Sequence, residues 1–170
     1  RGWGGDQAQY DRWMDDWFLP PSDLDGRIWR MQLLQARATT FTYEWLRLHS
    51  NRCGGALVWQ LNDAWTGHSW SLVDVAGRPK PAWWSARAAC APRLLAFSVG
   101  EAGIEIAAVN DTDETWGGGV ASGGVRIRRV DMAGVDLDAA ALELEVPPRG
   151  TRAVALLPDL VIPADPSMEL

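Results

Sequence analysis

Residues 54–70, GGALVWQLNDAWTGHSW, constrain the fold of this chain more than any other stretch. They open with an apolar run at 56–61, which is too short for a stable helix and almost continuously apolar. Such a run is typical of a strand that is buried on both faces of a parallel sheet. The run stops at Asn62 and Asp63, a polar pair suited to the start of a loop. The pattern therefore predicts a buried parallel strand over 56–61, followed by a loop.

The predicted loop is rich in aromatic rings. Trp65, His68 and Trp70 place three rings within six residues. Large rings on a loop are not needed to close a core, whereas barrels and open α/β sheets bind their ligands just past the carboxyl ends of parallel strands. We therefore expect a ligand site here. Neither His68 nor the two cysteines have the spacing of a metal site, so we expect no metal and no cofactor.

The segments on either side of this stretch favour helices. Tyr10, Trp13, Met14 and Trp17 recur at helical spacing and predict an amphipathic helix over 6–18 that buries its aromatic face. Two further helices are predicted, one from Asp25 or Gly26 to about residue 51 and one over 81–91. The order helix, strand, loop, helix is one closing piece of a larger α/β fold, because a single parallel strand cannot satisfy its own hydrogen bonds.

The pattern changes near Pro92. Ten of the eleven tryptophans precede residue 85, and from residue 93 short alternating segments bounded by turn residues predict strands at 94–99, 103–110, 125–130, 142–146 and 152–157. The alternation indicates antiparallel sheets with one wet face, and we expect an immunoglobulin-like β-sandwich. The predicted domains are therefore 1–92 and 93–170.

Charge and hydropathy exclude several classes of protein. The net charge is −6 without any run of Lys and Arg, which argues against a nucleic-acid partner. No stretch is long and apolar enough to predict a membrane span, so no membrane partner is expected. No signal peptide opens the sequence, and we expect a cytoplasmic protein.

A family resemblance is carried by residues 59–84, WQLNDAWTGHSWSLVDVAGRPKPAWW. This run resembles the last strand, loop and helix of the catalytic barrel in β-mannosidases of glycoside hydrolase family 2, whose pattern is close to YWQLND-x-W-P-x-x-SW, then D-x-x-GR-x-K and an aromatic-rich helix. Thr66 stands where the family usually has proline. The resemblance implies an α/β plus all-β chain, namely the closing elements of a (β/α)8 TIM barrel followed by an immunoglobulin-like β-sandwich.

The resemblance also implies a function. It identifies the chain as the C-terminal portion of an exo-acting retaining β-mannosidase that hydrolyses terminal non-reducing β-D-mannose. The partners implied are a β-mannoside oligosaccharide or glycoconjugate and the remainder of the parent chain. The two catalytic glutamates of the family lie on earlier barrel strands, upstream of Arg1, so no catalytic residue is expected here. Glu44, within the second helix, is expected to be solvated or salt-bridged.

By the same resemblance the substrate-binding residues are Trp59, as the sugar-facing ring, with Asn62, Asp63 and Trp65 beside it. Each has a structural alternative: Trp59 filling the barrel core, the polar pair capping the loop, and Trp65 packing the loop on the barrel, as we expect for Trp70. Cys53 and Cys90 could meet at the bottom of such a barrel, as a disulfide or as free thiols. Two other functions stay open, another family 2 exo-glycosidase (β-glucosaminidase or β-galactosidase) and a carbohydrate-binding or interaction module without hydrolase activity.

Overall fold

A computed structural model describes residues 7–100, 103–117, 124–131 and 133–157. The chain divides into two compact units, Arg1–Ala91 and Pro92–Leu170. From residue 7 onward, the first unit contains three helices, α1 (Gln7–Asp15), α2 (Leu24–Leu48) and α3 (Pro81–Ala89). Within the described ranges, no helix is both long enough and apolar enough to cross a membrane.

The long helix α2 begins at a side-chain cap. The carboxylate of Asp23 accepts a hydrogen bond from the backbone N–H of Gly26 at 2.7 Å, which satisfies one of the donors that a helix start leaves unpaired. The predicted start at Asp25 or Gly26 lies one or two residues after the observed first residue, Leu24. Helix α3 has Pro81 in its first turn, where proline needs no hydrogen-bond donor.

A small apolar core joins α2, α3 and the segment between them. The core consists of Ala36 from α2, Ala82 from α3 and Leu72 from the segment between the helices. Three partly buried side chains pack around it: Val73, Trp83 and Ala86. The alanines let the two helices approach closely, and Leu72 fills the space between them. Residues 72 and 73, where the loop returns, are therefore fixed against both helices.

Helix α1 forms as predicted but does not bury its aromatic face. Met14 is buried, whereas Trp13 and Trp17 are exposed. The guanidinium of Arg37 lies 4.5 Å from the centre of the Trp17 ring, within cation–π range. The prediction of a buried aromatic face was wrong: of its four residues only Met14 is buried, and the Tyr10 and Trp13 rings pack against each other at 5.7 Å between centres.

Residues 56–61 do not form the buried strand that their composition predicts. No strand is present between α2 and α3, and the side chains of Leu57 and Trp59 are 100% and 76% exposed. The peptide bond between Trp59 and Gln60 is cis. Strand geometry needs a neighbouring strand for its backbone groups. Among the described residues this segment pairs only with the return of its own loop, where the carbonyl oxygens of Gln60 and Leu61 accept from Leu72 and Val73.

The described residues of the second unit form seven strands in three antiparallel sheets: β1 (Arg93–Gly100), β2 (Gly103–Asn110), β3 (Trp116–Gly117), β4 (Val125–Val130), β5 (Asp136–Leu142), β6 (Glu145–Val146) and β7 (Gly150–Leu157). The sheets have the orders β1-β2-β7, β3-β6 and β4-β5. Side chains from all three sheets meet in one core, formed by Ala108, Val125, Leu144 and Val146. The unit therefore has the packed antiparallel layers that its alternating segments predict.

Strands β1 and β7 extend one or two residues beyond their predicted limits, β3 and β5 were not predicted, and one predicted strand is divided. Residues 142–146 were expected to form a single strand, but β5 ends at Leu142 and β6 begins at Glu145. The two strands belong to different sheets, since β5 pairs with β4 and β6 pairs with β3. Between them Leu144 is buried in the common core. The chain crosses from one sheet to another here, and an alternating apolar pattern does not reveal such a crossing.

Asn110, at the end of β2, is the polar centre of the second unit. Its buried amide nitrogen donates to the carbonyl oxygens of Glu114, Val146 and Pro147 at 2.8, 3.2 and 3.1 Å. Its amide oxygen accepts from the N–H and hydroxyl of Thr112 at 3.1 and 2.6 Å. One side chain thus joins β2 to the turn before β3 and to the end of β6.

We expect Asn110→Ala to destabilise the chain by about 2 kcal/mol, because buried carbonyl groups would lose their donor without gaining water. Chemical denaturation followed by circular dichroism measures this. The matched control is Asp113→Ala, which removes an exposed ion pair with Arg149 from the same region and should leave the midpoint unchanged. Equal midpoints for Asn110→Ala and the unmodified chain would contradict the role given to Asn110.

Candidate functional site

The ring-bearing loop closes on itself at its base. The backbone N–H of Asp63 donates to the carbonyl oxygen of Val73 at 3.0 Å, and the N–H of Val73 donates to the carbonyl oxygen of Leu61 at 2.9 Å. The N–H of Leu72 donates to the carbonyl oxygen of Gln60 at 3.0 Å. The outgoing and returning segments are therefore joined, and residues 63–71 project as one loop, called here the aromatic loop.

A buried ion pair lies inside this base. The Lys80 ammonium nitrogen is 3.2 Å from Oδ2 of Asp63, 3.1 Å from the hydroxyl of Ser69 and 2.7 Å from the hydroxyl of Ser71. The side chains of Lys80 and Asp63 are only 11% and 7% exposed. The hydroxyls of Ser69 and Ser71 are also within hydrogen-bond distance of each other. These four side chains are called the Lys80 cluster.

The cluster keeps Asp63 ionised. Burial by itself raises the pKa of this carboxyl group, but hydrogen bonds from Ser69, Ser71 and Lys80, together with the Lys80 charge, hold the pKa below its ordinary value. A carboxylate in this state is an acceptor and not a proton donor. Asp63 therefore has the chemistry of an anchoring group, and its contacts are to the loop itself.

Helix α2 also supports the loop. The side-chain amide of Gln35 donates to the carbonyl oxygens of Trp70 and Ser71 at 3.0 and 3.2 Å. This contact ties the returning part of the loop to the helix that shares the core with Leu72. The loop is thus held from two directions, by Lys80 at the start of α3 and by Gln35 in the middle of α2.

The rings of the loop stand largely in solvent. Trp59, on the segment before the loop, is 76% exposed, while Trp65 and Trp70 are 73% and 53% exposed. Asn62 is also exposed, and its amide donates to the carbonyl oxygen of Asp63 at 3.2 Å. The structure thus places Trp59, Asn62 and Trp65 at the surface, and it places the carboxylate of Asp63 beneath them in the Lys80 cluster.

The remaining candidates lie apart from the loop. Glu44 is half-buried in α2, where burial raises the pKa of its carboxyl group and the charge of Arg47 opposes that shift. Cys53 and Cys90 are free thiols, which decides the open question of their pairing. No group of three His, Cys, Asp or Glu side chains in the described ranges is arranged to hold a metal ion.

Lys80 and Gln35 support the loop in the structure, and sequence reasoning assigned neither of them to the site. Both carried a signal. Gln35 lies on the face of α2 that is otherwise mainly apolar, between Met31 and Ala38, where a polar side chain needs a partner. Lys80 stands between Pro79 and Pro81, whose rings restrict the backbone on either side of it. Their partners lie 36 and 17 residues away in Ser71 and Asp63, a distance that spacing does not reveal.

The sequence of the chain is similar to that of several known proteins. No family model matches it. Over 67 residues, 38% of this chain, it is 45% identical to proteins named β-mannosidase B from Neosartorya fischeri and Aspergillus niger. Over this segment the chain is similar to the β-mannosidases. The matched segment covers 8% of those relatives, so the chain corresponds to a small part of their length.

Solved structures show the same fold. The β-D-mannosidase of Dictyoglomus thermophilum superposes with a TM-score of 0.81 at 20% identity, over 92% of this chain and 19% of its own. The exo-chitosanase of Amycolatopsis orientalis superposes with a TM-score of 0.66 at 19% identity, over 81% of this chain and 16% of its own. The resemblance to β-mannosidases that residues 59–84 carry is therefore confirmed, while closure of a barrel is not seen in the chain itself.

Proposed function

We propose that this chain is the C-terminal portion of an exo-acting retaining β-mannosidase of glycoside hydrolase family 2, and that it forms the aromatic wall of the sugar site. Its partners are then a β-mannoside oligosaccharide or glycoconjugate and the remainder of the parent chain. In this proposal 1–92 completes a TIM barrel and 93–170 is an immunoglobulin-like domain. The catalytic carboxylates come from elsewhere in the parent, which we place in the cytoplasm.

The observation that carries the proposal is a pair of exposed indoles at a loop that Lys80 and Gln35 hold in place, in a chain similar to β-mannosidases. Trp59 lies just before this loop and Trp65 lies within it. Trp59 and Trp65 are each about three-quarters exposed, at 76% and 73%. Exposed rings of this size offer apolar surface that a ligand or a partner can cover. The apolar C–H face of a pyranose matches an indole face, and nearby amide groups can bind its hydroxyls.

The geometry divides the four predicted site residues into two roles. Trp59, Asn62 and Trp65 have exposed side chains, so we assign them the contacts with the sugar. Asp63 belongs to the same proposed site, but its carboxylate is held by Lys80 and two serine hydroxyls. We therefore propose that Asp63 maintains the shape of the loop. The alternative role of the polar pair, capping the loop, is thus kept for Asp63 and not for Asn62.

A second candidate function is supported by the structural comparison. The Amycolatopsis orientalis enzyme is described as an exo-chitosanase and as an exo-β-D-glucosaminidase, and its TM-score reaches 0.73 in one structure. A β-glucosaminidase parent would use the same fold with a different sugar. The higher TM-score of the Dictyoglomus thermophilum β-D-mannosidase and the names of the sequence relatives favour mannose.

A substrate panel separates the two enzymes and the binding module. The full-length protein that contains this chain is assayed with the 4-nitrophenyl β-D-glycosides of mannose, glucosamine and galactose. We expect kcat/KM for the mannoside to exceed the others by at least about a hundredfold, since a site built around specific hydroxyl groups rejects their epimers strongly. Preferential turnover of the glucosaminide would select the second function. Binding of mannose without turnover of any substrate would select a carbohydrate-binding module.

A further inference from the structure

We propose that Lys80 is a positioning residue for the sugar site: its buried ammonium group holds the two ends of the aromatic loop together and so fixes where Trp65 is presented. The part of this inference that concerns sugar rests on the proposed function. The part that concerns the loop rests on the Lys80 cluster alone.

The hydrogen bonding of Lys80 is complete. An ammonium group has three donors, and the described cluster supplies three acceptors at 2.7, 3.1 and 3.2 Å. Asp63 begins the aromatic loop, whereas Ser69 and Ser71 are at its end. A single side chain therefore connects both ends of a nine-residue segment (63–71), which is the arrangement of a clamp.

The clamp is attached to a rigid support. The backbone N–H of Lys80 donates to the carbonyl oxygen of Leu72 at 2.8 Å, and Lys80 is the residue that precedes α3. Two residues further on, Ala82 is fully buried against Leu72 in the core of the unit. The position of the ammonium group is thus set by helix packing and not by the loop that it holds.

The tip of the loop has no comparable support. Among the described residues, those at 64–68 make no hydrogen bond to the rest of the chain, and all five are exposed. The orientation of the tip therefore depends on the geometry of the two ends. Because Lys80 and Asp63 are nearly buried, water cannot easily replace either partner if the other is removed.

The kinetic test is Lys80→Met in the full-length protein, which keeps the length of the side chain and removes its charge. We expect KM for 4-nitrophenyl β-D-mannoside to rise about tenfold, while kcat stays within about twofold of its unmodified value. The reason is that a loop without its clamp loses conformational entropy when the sugar binds, which weakens binding. Lys80→Arg keeps the charge and should give a smaller increase. Damage to folding alone would instead lower kcat through the fraction of active molecules and leave KM unchanged.

Two further variants sharpen the comparison. Arg78→Met removes a cation two residues away whose partner is Asp74 in an exposed turn, and its KM should equal that of the unmodified protein. Ser71→Ala removes one acceptor of Lys80 and should raise KM by about threefold. This milder variant keeps the test decisive if Lys80→Met does not fold.

Hydrogen exchange tests the clamp without any sugar. The amides of Asp63, Leu72 and Lys80 are hydrogen-bonded at the base of the loop, and in Lys80→Met or Ser71→Ala their exchange should accelerate while that of α2 stays constant. Unchanged exchange at the base would overturn the clamp. Faster exchange with an unchanged KM would overturn its role in the site. If the unmodified protein turns over no β-mannoside, the proposed function fails, and exchange still decides whether Lys80 holds the loop.

Discussion

Residues 1–170, produced without the rest of a longer protein, are expected to release no nitrophenol from 4-nitrophenyl β-D-mannoside. A retaining glycosidase needs two carboxyl groups about 5 Å apart, one that attacks the anomeric carbon and one that protonates the leaving oxygen. Enzymes accelerate their reactions by about a millionfold or more over the uncatalysed rate, and without these two carboxyl groups that acceleration is lost. The described part of the chain offers no such pair in its predicted site, where Asp63 is engaged by Lys80.

Glu44 provides the control for this expectation. It is the only glutamate before residue 101, and it lies in α2 with burial raising the pKa of its carboxyl group. A raised pKa alone does not make a catalytic acid, since that group must also reach the scissile bond. Turnover above background that is abolished by Glu44→Gln would overturn the prediction, whereas turnover that survives Glu44→Gln would indicate a contaminating glycosidase.

Trp59→Ala in the full-length protein is expected to lower kcat/KM for a β-mannoside by at least about tenfold. An aromatic contact of this kind contributes on the order of 1 kcal/mol beyond the area that it buries, and each 1.4 kcal/mol of lost transition-state stabilisation is one decade in rate. Trp59 is the most exposed of the three tryptophans in and before the loop, so most of its ring surface is free for a ligand.

Trp70→Ala is the matched comparison, because it removes the same ring from the other end of the loop. Trp70 is less exposed than Trp59, at 53% against 76%, and its carbonyl oxygen accepts a hydrogen bond from Gln35 that the substitution leaves in place. We expect a lower melting temperature with nearly full activity per folded molecule. Full activity in Trp59→Ala, or a larger catalytic loss in Trp70→Ala, would show that the wrong ring was assigned to the sugar.

The helices and most strands could be predicted because their signals are local. The helix that begins at Leu24 follows an aspartate cap, and Pro81 marks the start of α3 within a few residues of their observed positions. Strands β2 and β4 have the limits that their alternation predicts, Gly103–Asn110 and Val125–Val130. Caps, prolines and side-chain alternation act within a few residues, so the sequence carries them directly.

The aromatic loop was also visible in the sequence, as three rings after a polar pair, but its internal organisation was not. Trp59, Asn62 and Trp65 are exposed as a ligand-binding surface requires. The role of Asp63 changed once its partner was known. A carboxylate on a loop has the same local signal whether it binds a sugar or an ammonium group, and only the folded chain brings Lys80 to within 3.2 Å.

The sequence by itself determined the three helices, the change from helices to strands near Pro92 and the resemblance to β-mannosidases through residues 59–84. Tertiary structure decided what those elements do. Residues 56–61 have the composition of a buried strand, yet they form no strand and all but Gln60 are exposed, because a strand exists only where another segment pairs with its backbone. Lys80 and Asp63 acquire their roles for the same reason, since hydrogen bonds and buried charges depend on partners that are distant in sequence and adjacent only in the fold.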